Sequence, residues 1–261
     1  MKVSVLGATG AMGGLVIKSA LQEGGISVAN KISSSDDVCN LFVDTDVIVD
    51  FSCPFATESM LRYASSNGTQ IPLVIGTTGL SKIHKDLMEK CSQTVPVFHS
   101  PNMSFLVAIM NSVLYMLGKL LDEDFDVEVL ESHHRLKKDA PSGTAIMFGH
   151  TVAGARNRNL DDVANFIRYG IIEQRKRGEI GFAVQRCGSV VGTHEVSFVG
   201  SCENIKVKHE ASSKEIFARG AIQVAKWIIN QCNGLYSMND FTKDVTIPVL
   251  NALSREFFEK Q

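Results

Sequence analysis

Seven residues near the start, Gly7-Ala8-Thr9-Gly10-Ala11-Met12-Gly13, restrict this chain more than any other segment. They follow Lys2 to Leu6, an apolar run that reads as a strand, and open a helical stretch reaching about Glu23. Gly7 permits a tight turn, Gly10 lets the backbone approach a pyrophosphate, and Gly13 allows the helix to lie close on the strand. Such a helix start turns N–H groups and a partial positive charge toward a phosphate. The spacing is GxxGxxG, a variant of the dinucleotide fingerprint, and its weight comes from its place between strand and helix. Gly7, Ala8, Thr9, Gly10, Ala11 and Met12 are the expected cofactor cradle.

The rest of the first hundred residues alternates between two periods. Strands are expected at 26–31, 47–51, 72–75 and 95–98, and helices at 54–66 and 81–92. Val47-Ile48-Val49 is the continuous apolar run of a strand buried on both faces, and the alternation implies right-handed βαβ units. A long apolar helix over 105–121 follows, then a strand at 127–130 and a helix from about Ser142. From Ile171 to Glu210, strand-like segments punctuated by glycines predict an antiparallel sheet, before a helix from Ser213 to about Cys232. The fold expected is α/β: a Rossmann-like doubly wound parallel sheet plus an α+β domain with an open mixed or antiparallel sheet.

Charge and cysteine content narrow the function. A formal charge of −2 with a pI near 6.4 argues against nucleic acid as a partner, because phosphate backbones need a basic face. The stretch from Phe105 to Leu121 is interrupted by Asn111, Ser112, Gly118 and Lys119 and is too short for a membrane span. Six scattered cysteines without a CxxC pair suit reduced thiols in the cytoplasm, and no signal peptide is read before the first strand.

The richest segment is Glu131-Ser132-His133-His134-Arg135-Leu136-Lys137-Lys138-Asp139-Ala140-Pro141-Ser142-Gly143-Thr144. It places histidines and cations directly after an apolar strand, then starts a helix whose first N–H groups are open to an anion. That combination suits a dianionic small molecule with a proton donor alongside. The histidine pair lacks further ligands at metal spacing, so no metal is expected.

These residues carry a resemblance. The chain resembles the dihydrodipicolinate reductase (4-hydroxy-tetrahydrodipicolinate reductase) family of lysine and diaminopimelate synthesis over roughly residues 1–241. The shared segments are the glycine turn, Val49-Asp50-Phe51-Ser52, Val74-Ile75-Gly76-Thr77-Thr78-Gly79, Ser100-Pro101-Asn102-Met103-Ser104 and His133 to Ala145. Arg177 to Gly181, Gly192 to Val196 and His209 to Gly220 extend it. The resemblance implies NADPH or NADH as cofactor and a cyclic dicarboxylate as substrate. It implies that Gly76, Thr77, Thr78, Ser100, Pro101, Asn102 and Met103 lie along the nicotinamide. His133 is then the catalytic histidine and Lys137 the proton donor, with Arg135 and Lys138 beside it favouring release of its proton. His134 binds one substrate carboxylate, and Gly143 and Thr144 hold the other. It further implies a homotetramer, a dinucleotide-binding domain of residues 1–103 completed by 213–261, and a substrate-binding and oligomerisation domain of 104–212, with a hinge between.

Two other functions are weighed against this one. A semialdehyde-type nicotinamide reductase would need a nucleophilic thiol, for which Cys53 is the candidate. A catalytically silent NADP sensor would keep the glycine turn without needing His133, His134 and Lys137 together. Cofactor choice is legible in part. Where dinucleotide folds place an acid for the ribose 2′-hydroxyl, this chain has Asn30-Lys31, then Ser33, Ser34 and Ser35. Lys31 suits a 2′-phosphate, so NADPH is expected to be used at least as well as NADH. Comparison of kcat/KM for the two cofactors checks this, and a strong preference for NADH refutes it.

Overall fold

The structure is a computed structural model that describes residues 1–33 and 35–258. Ser34 lies outside the described residues, as do Glu259 and Lys260 at the end of the helix expected over 254–260. The chain divides into two compact units, Met1–Phe105 with Lys214–Gln261, and Leu106–Ser213.

In the first unit the elements run β1 (Lys2–Leu6), α1 (Ala11–Gln22), β2 (Ser27–Ile32), β3 (Val47–Asp50), α2 (Pro54–Asn67), β4 (Leu73–Ile75), α3 (Lys82–Ser92) and β5 (Pro96–His99). The second unit takes up α4 (Phe105–Leu120, beginning at the division), β6 (Asp126–His133), α5 (Gly143–Ala155), α6 (Leu160–Val163) and β7 (Ala164–Asn165). It ends with β8 (Ile180–Arg186), β9 (Gly192–Val199) and β10 (Asn204–Ala211). The chain then returns to the first unit with α7 (Glu215–Ile228), β11 (Gly234–Tyr236) and α8 (Met238–Phe258).

The first sheet is a doubly wound parallel sheet of order β11-β5-β4-β3-β1-β2. Every residue of β3 is buried, as a strand covered on both faces requires. The chain goes from β1 to one side for β2 and to the other for β3, so the glycine turn ending β1 lies at the point where strand order reverses. Pro54 opens α2, where its missing N–H costs nothing, and Gly68 ends that helix in the left-handed region at φ 59°.

The second sheet is mixed, of order β10-β9-β6-β8-β7. β9 is antiparallel to both β6 and β10, but β8 runs parallel to β6. Of the mixed or antiparallel sheet expected, the mixed one is found: helix α5 carries the chain back between β6 and β8, making a crossover rather than a hairpin. Residues 171–179 also form no strand. Their arginines are spent on ion pairs and carbonyls instead of a ladder: Arg175 Nε lies 2.9 Å from Asp126, and Arg175 Nη2 donates to the Val127 and Glu179 carbonyls. Helices α4 and α5 cover one face of this sheet, packing Leu114, Phe148 and Val152 against Val127, Val129, Val196 and Phe198. Among the described residues no helix is long and apolar enough to cross a membrane.

The return of the chain is held by close packing. Gly220 of α7 is buried, and a Cβ there would stand 1.7 Å from the Met103 carbonyl oxygen. Gly220→Ala is therefore expected to destabilise the first unit by about 1–3 kcal/mol or more through overpacking. Urea unfolding checks this, and an unchanged midpoint is incompatible with the contact.

Candidate active site

The glycine turn has the build a phosphate requires. Gly7 adopts φ +83°, and a Cβ there would meet the Phe51 carbonyl oxygen at 2.7 Å. A Cβ on Gly13 would fall 2.0 Å from the Gly7 carbonyl oxygen, so only glycine lets α1 sit this close to the turn. The N–H groups of Gly7 and Ala8 both donate to the Ile32 carbonyl at the end of β2, at 2.9 and 3.0 Å. Gly10 caps α1 without any side-chain hydrogen bond, leaving the helix start uncovered by its own residues. Thr9, Gly10 and Ala11 are exposed there.

A cavity of about 300 Å³ opens in the same unit. Met12, Gly76, Thr77, Thr78, Pro101 and Met103 line it, all expected from sequence on the cofactor side. Phe51, Ser52, Lys214 and Phe217 line it too, and sequence reasoning assigned none of them to a cofactor. Lys31 is exposed at the end of β2 and is not in this lining, nor are Gly7 to Ala11, Ser100 or Asn102. Gly76 is required here because a Cβ would strike the Phe51 ring at 2.5 Å. Beneath the cavity sits Asp50, fully buried at the end of β3. It accepts from the Ser52 N–H at 2.9 Å and from the Ser52 and Thr57 hydroxyls at 2.5 Å each. Burial pushes its carboxyl up, against the lowering effect of those hydrogen bonds. Ser52 N–H is shared with the Thr77 hydroxyl at 3.1 Å, which fixes the β3 and β4 ends together. Near Lys31, Asp36 folds back to accept from the Ser33 N–H at 2.7 Å and its hydroxyl at 2.6 Å, so an acid does stand near this strand end.

In the second unit the polar cluster gathers at the end of β6. His133 Nδ1 lies 2.5 Å from Glu131 Oε2. Burial alone would push Glu131 up, but hydrogen bonds from Arg186, His133 and the Ser142 N–H outweigh it and hold the carboxyl below its usual range. Lys137 Nζ contacts both Asp139 oxygens at 2.8 Å. Asp139 thus faces Lys137 directly, while Arg135 and Lys138, the cations expected beside it, carry exposed side chains. His134 Nδ1 is buried with no hydrogen-bond partner. Ser142 caps α5, its hydroxyl accepting from the Ala145 N–H at 3.2 Å, and Gly143 and Thr144 form the first turn.

Sequence reasoning passed over His194 and Arg186. His194 lies across from Glu131 in the β6–β9 ladder, 5% exposed, with Nε2 3.0 Å from the Ser142 hydroxyl. Its ring stands edge-on to His133 with centroids 5.1 Å apart. Burial pushes His194 down to about 4, helped by the charge of His133 and opposed by Glu131.

Comparison with known proteins settles the family. Residues 1–103 match the family described as dihydrodipicolinate reductase, N-terminus, and residues 107–242 match its C-terminus. The chain belongs to the dihydrodipicolinate reductase family. Among its relatives, a 4-hydroxy-tetrahydrodipicolinate reductase of Campylobacter lari is 47% identical over 201 residues, 77% of this chain and 82% of that protein. The Rickettsia africae protein of the same name is 41% identical over 246 residues, covering 93% of this chain and 99% of its own length. A solved structure described as dipicolinate-bound dihydrodipicolinate reductase from Paenisporosarcina sp. TG-14 superposes with a TM-score of 0.72 at 18% identity, over 91% of this chain and 97% of that one.

The buried histidine has a consequence for stability. His194 is neutral in the fold, whereas the unfolded chain takes up a proton near pH 6.5. The unfolded state therefore binds more protons between pH 6.5 and 4, and stability falls as pH drops through that window. At 1.36 kcal/mol per pH unit, His194 accounts for a loss of roughly 3 kcal/mol. Urea midpoints measured across this range should flatten in His194→Gln; parallel curves for the two proteins would show that another group is responsible.

Proposed function

We propose that this protein reduces 4-hydroxy-tetrahydrodipicolinate to tetrahydrodipicolinate with NADPH or NADH, a step of lysine and diaminopimelate synthesis. One observation carries the proposal within this family: His133 on its carboxylate, Lys137 on Asp139 and the start of α5 all gather at one end of β6. The solved structure described as dipicolinate-bound supports a small dicarboxylate as ligand.

The substrate is a cyclic imine with two carboxylates. His134, with its unpartnered buried Nδ1, takes one of them. The Gly143 backbone and the Thr144 hydroxyl take the other, aided by the positive end of α5. The ring loses water and accepts a hydride at C4, and a nicotinamide, when bound, supplies that hydride. The adjacent ring carbon, enamine-like after this addition, then needs a proton. Lys137 gives it, its Nζ held by both Asp139 oxygens at 2.8 Å. His133 is the catalytic histidine beside it.

Residues 1–103 with 213–261 form the dinucleotide-binding domain of this reading. Gly7 to Met12 hold the pyrophosphate, Lys31 the 2′-phosphate, and Gly76, Thr77, Thr78 and Ser100 to Met103 the nicotinamide side. Residues 104–212 bind substrate and assemble the chain as a homotetramer, for which the exposed edge strand β10 offers a face. The enzyme works in the cytoplasm, without nucleic acid or membrane as partner.

The test is a coupled assay in which the upstream condensing enzyme generates the unstable substrate and nicotinamide absorbance follows its reduction. Turnover supports the proposal. A protein that binds NADPH but shows no turnover would be the silent sensor, and activity on a semialdehyde instead would point to Cys53. Lys137→Ala is expected to lower kcat by about 10²-fold or more, in line with the loss of a general acid, with a smaller effect on NADPH binding. Retention of most of the turnover would remove Lys137 from the mechanism.

A further inference from the structure

Glu131 takes no part in the chemistry above, yet its surroundings are closely specified. Along β6 the residues 127, 129, 131 and 133 share a face, and Val127 and Val129 on that face belong to the core. A carboxylate therefore stands where the alternation continues an apolar series, 1% exposed. Such a group is tolerated only when donors fill its lone pairs. Arg186 reaches it with both terminal nitrogens, Nη1 2.8 Å from Oε2 and Nη2 2.7 Å from Oε1. The Ser142 N–H donates to Oε1 at 3.0 Å, and His133 Nδ1 completes the set at Oε2. Arg186 is itself anchored on the Gln185 and Asp139 carbonyls, at 2.7 and 2.6 Å.

This arrangement decides which nitrogen of His133 is chemically available. An ionised carboxylate only accepts, so Nδ1 must carry a hydrogen. Nε2 is left to take or give a proton. It lies over Gly192, where a Cβ would stand only 3.0 Å away.

We infer that Glu131 is a positioning residue: locked by Arg186, it fixes the His133 imidazole in its Nδ1–H form and, through the Ser142 N–H, ties that ring to the start of α5. The catalytic consequence rests on the proposed reductase activity; the tautomer itself does not. Glu131 thereby sets both the free nitrogen of the histidine and its register with the helix start proposed to hold a substrate carboxylate.

Two measurements test this on the full-length enzyme. Heteronuclear NMR of labelled histidines, with His133→Gln used for assignment, should show a single Nδ1–H form for His133. In Glu131→Gln, whose amide can donate to Nδ1, that form should be lost or mixed. The same variant should lose about 10²-fold in kcat, with little change in KM, as expected for a misdirected acid–base group rather than a lost binding contact. Glu131→Asp, which keeps the charge, should recover part of kcat. A folded Glu131→Gln with the wild-type tautomer and near wild-type kcat overturns the inference. Should Glu131→Gln fail to fold, Arg186→Lys reads the same clamp from its other side. Loss of the single tautomer with a lower kcat then supports the inference, and an unchanged tautomer and kcat overturn it. Absence of turnover in the wild-type enzyme would refute the proposed reductase activity, while the NMR comparison would still decide the role of Glu131.

Discussion

A carboxylate cannot leave water unless donors replace the hydration it gives up, and in the second unit that requirement organises three elements at once. Glu131 draws a guanidinium from β8, an N–H from the start of α5 and an imidazole from its own strand. Each donor belongs to a segment that also builds the candidate active site. Removing one partner of a buried charged pair commonly costs about 3–5 kcal/mol, because the remaining charge is left uncompensated. The positions of β6, β8 and α5 are thus coupled through one side chain, and the histidine that lies among them inherits that rigidity.

The first unit meets a related requirement by other means. Its buried carboxylate, Asp50, receives hydroxyls and one N–H but no cation. Neutral donors stabilise the charged form less than a bidentate guanidinium does. Accordingly burial wins at Asp50 and pushes its carboxyl up, whereas at Glu131 the donors win. Asp50 serves as a hub joining the ends of β3 and β4, through Ser52 and Thr77, beneath the cavity. Above it the glycine turn works by subtraction: without side chains at Gly7 and Gly13, backbone can approach backbone to distances no Cβ would allow.

Much of this was legible in the sequence, and what was not has physical causes. The glycine turn and the apolar run of β3 are local signals, complete within a few residues. The helix expected at 54–66 runs Pro54–Asn67, with a proline and a glycine marking its ends. Strand direction is another matter: alternation reveals which face is buried but not which way a neighbour runs, so the parallel β6–β8 pairing was hidden. Residues 171–179 look strand-like in composition, but their arginines pair with acids scattered from Asp124 to Glu179. The three-residue strand β11 is too short to show any period. Within the candidate site, Glu131 could have been found from the V-x-V-x-E alternation of β6, which sets an acid on the core face. Its partner Arg186 lies 55 residues away and could not. Lys137 reads as one of a run of cations, and only the local fold reveals that Asp139 faces it.

The two edge-on histidines show why both carboxylate and burial are needed. His133 and His194 stand 5.1 Å apart, a separation at which two imidazolium charges would repel strongly in a buried setting. The structure avoids that conflict by treating the rings unequally. His133 has the carboxylate, with Glu131 Oε2 2.5 Å from its Nδ1. His194 has a serine hydroxyl, the Phe148 ring edge-on at 5.8 Å and almost no solvent, all of which favour the neutral form. His194 thereby adds no charge beside the Glu131–His133 pair. A charged His194 would draw on the same carboxylate and weaken its hold on His133. Keeping His194 neutral therefore leaves Glu131 committed to one histidine, so the two features, a paired acid and a neutral buried base, operate as a single device.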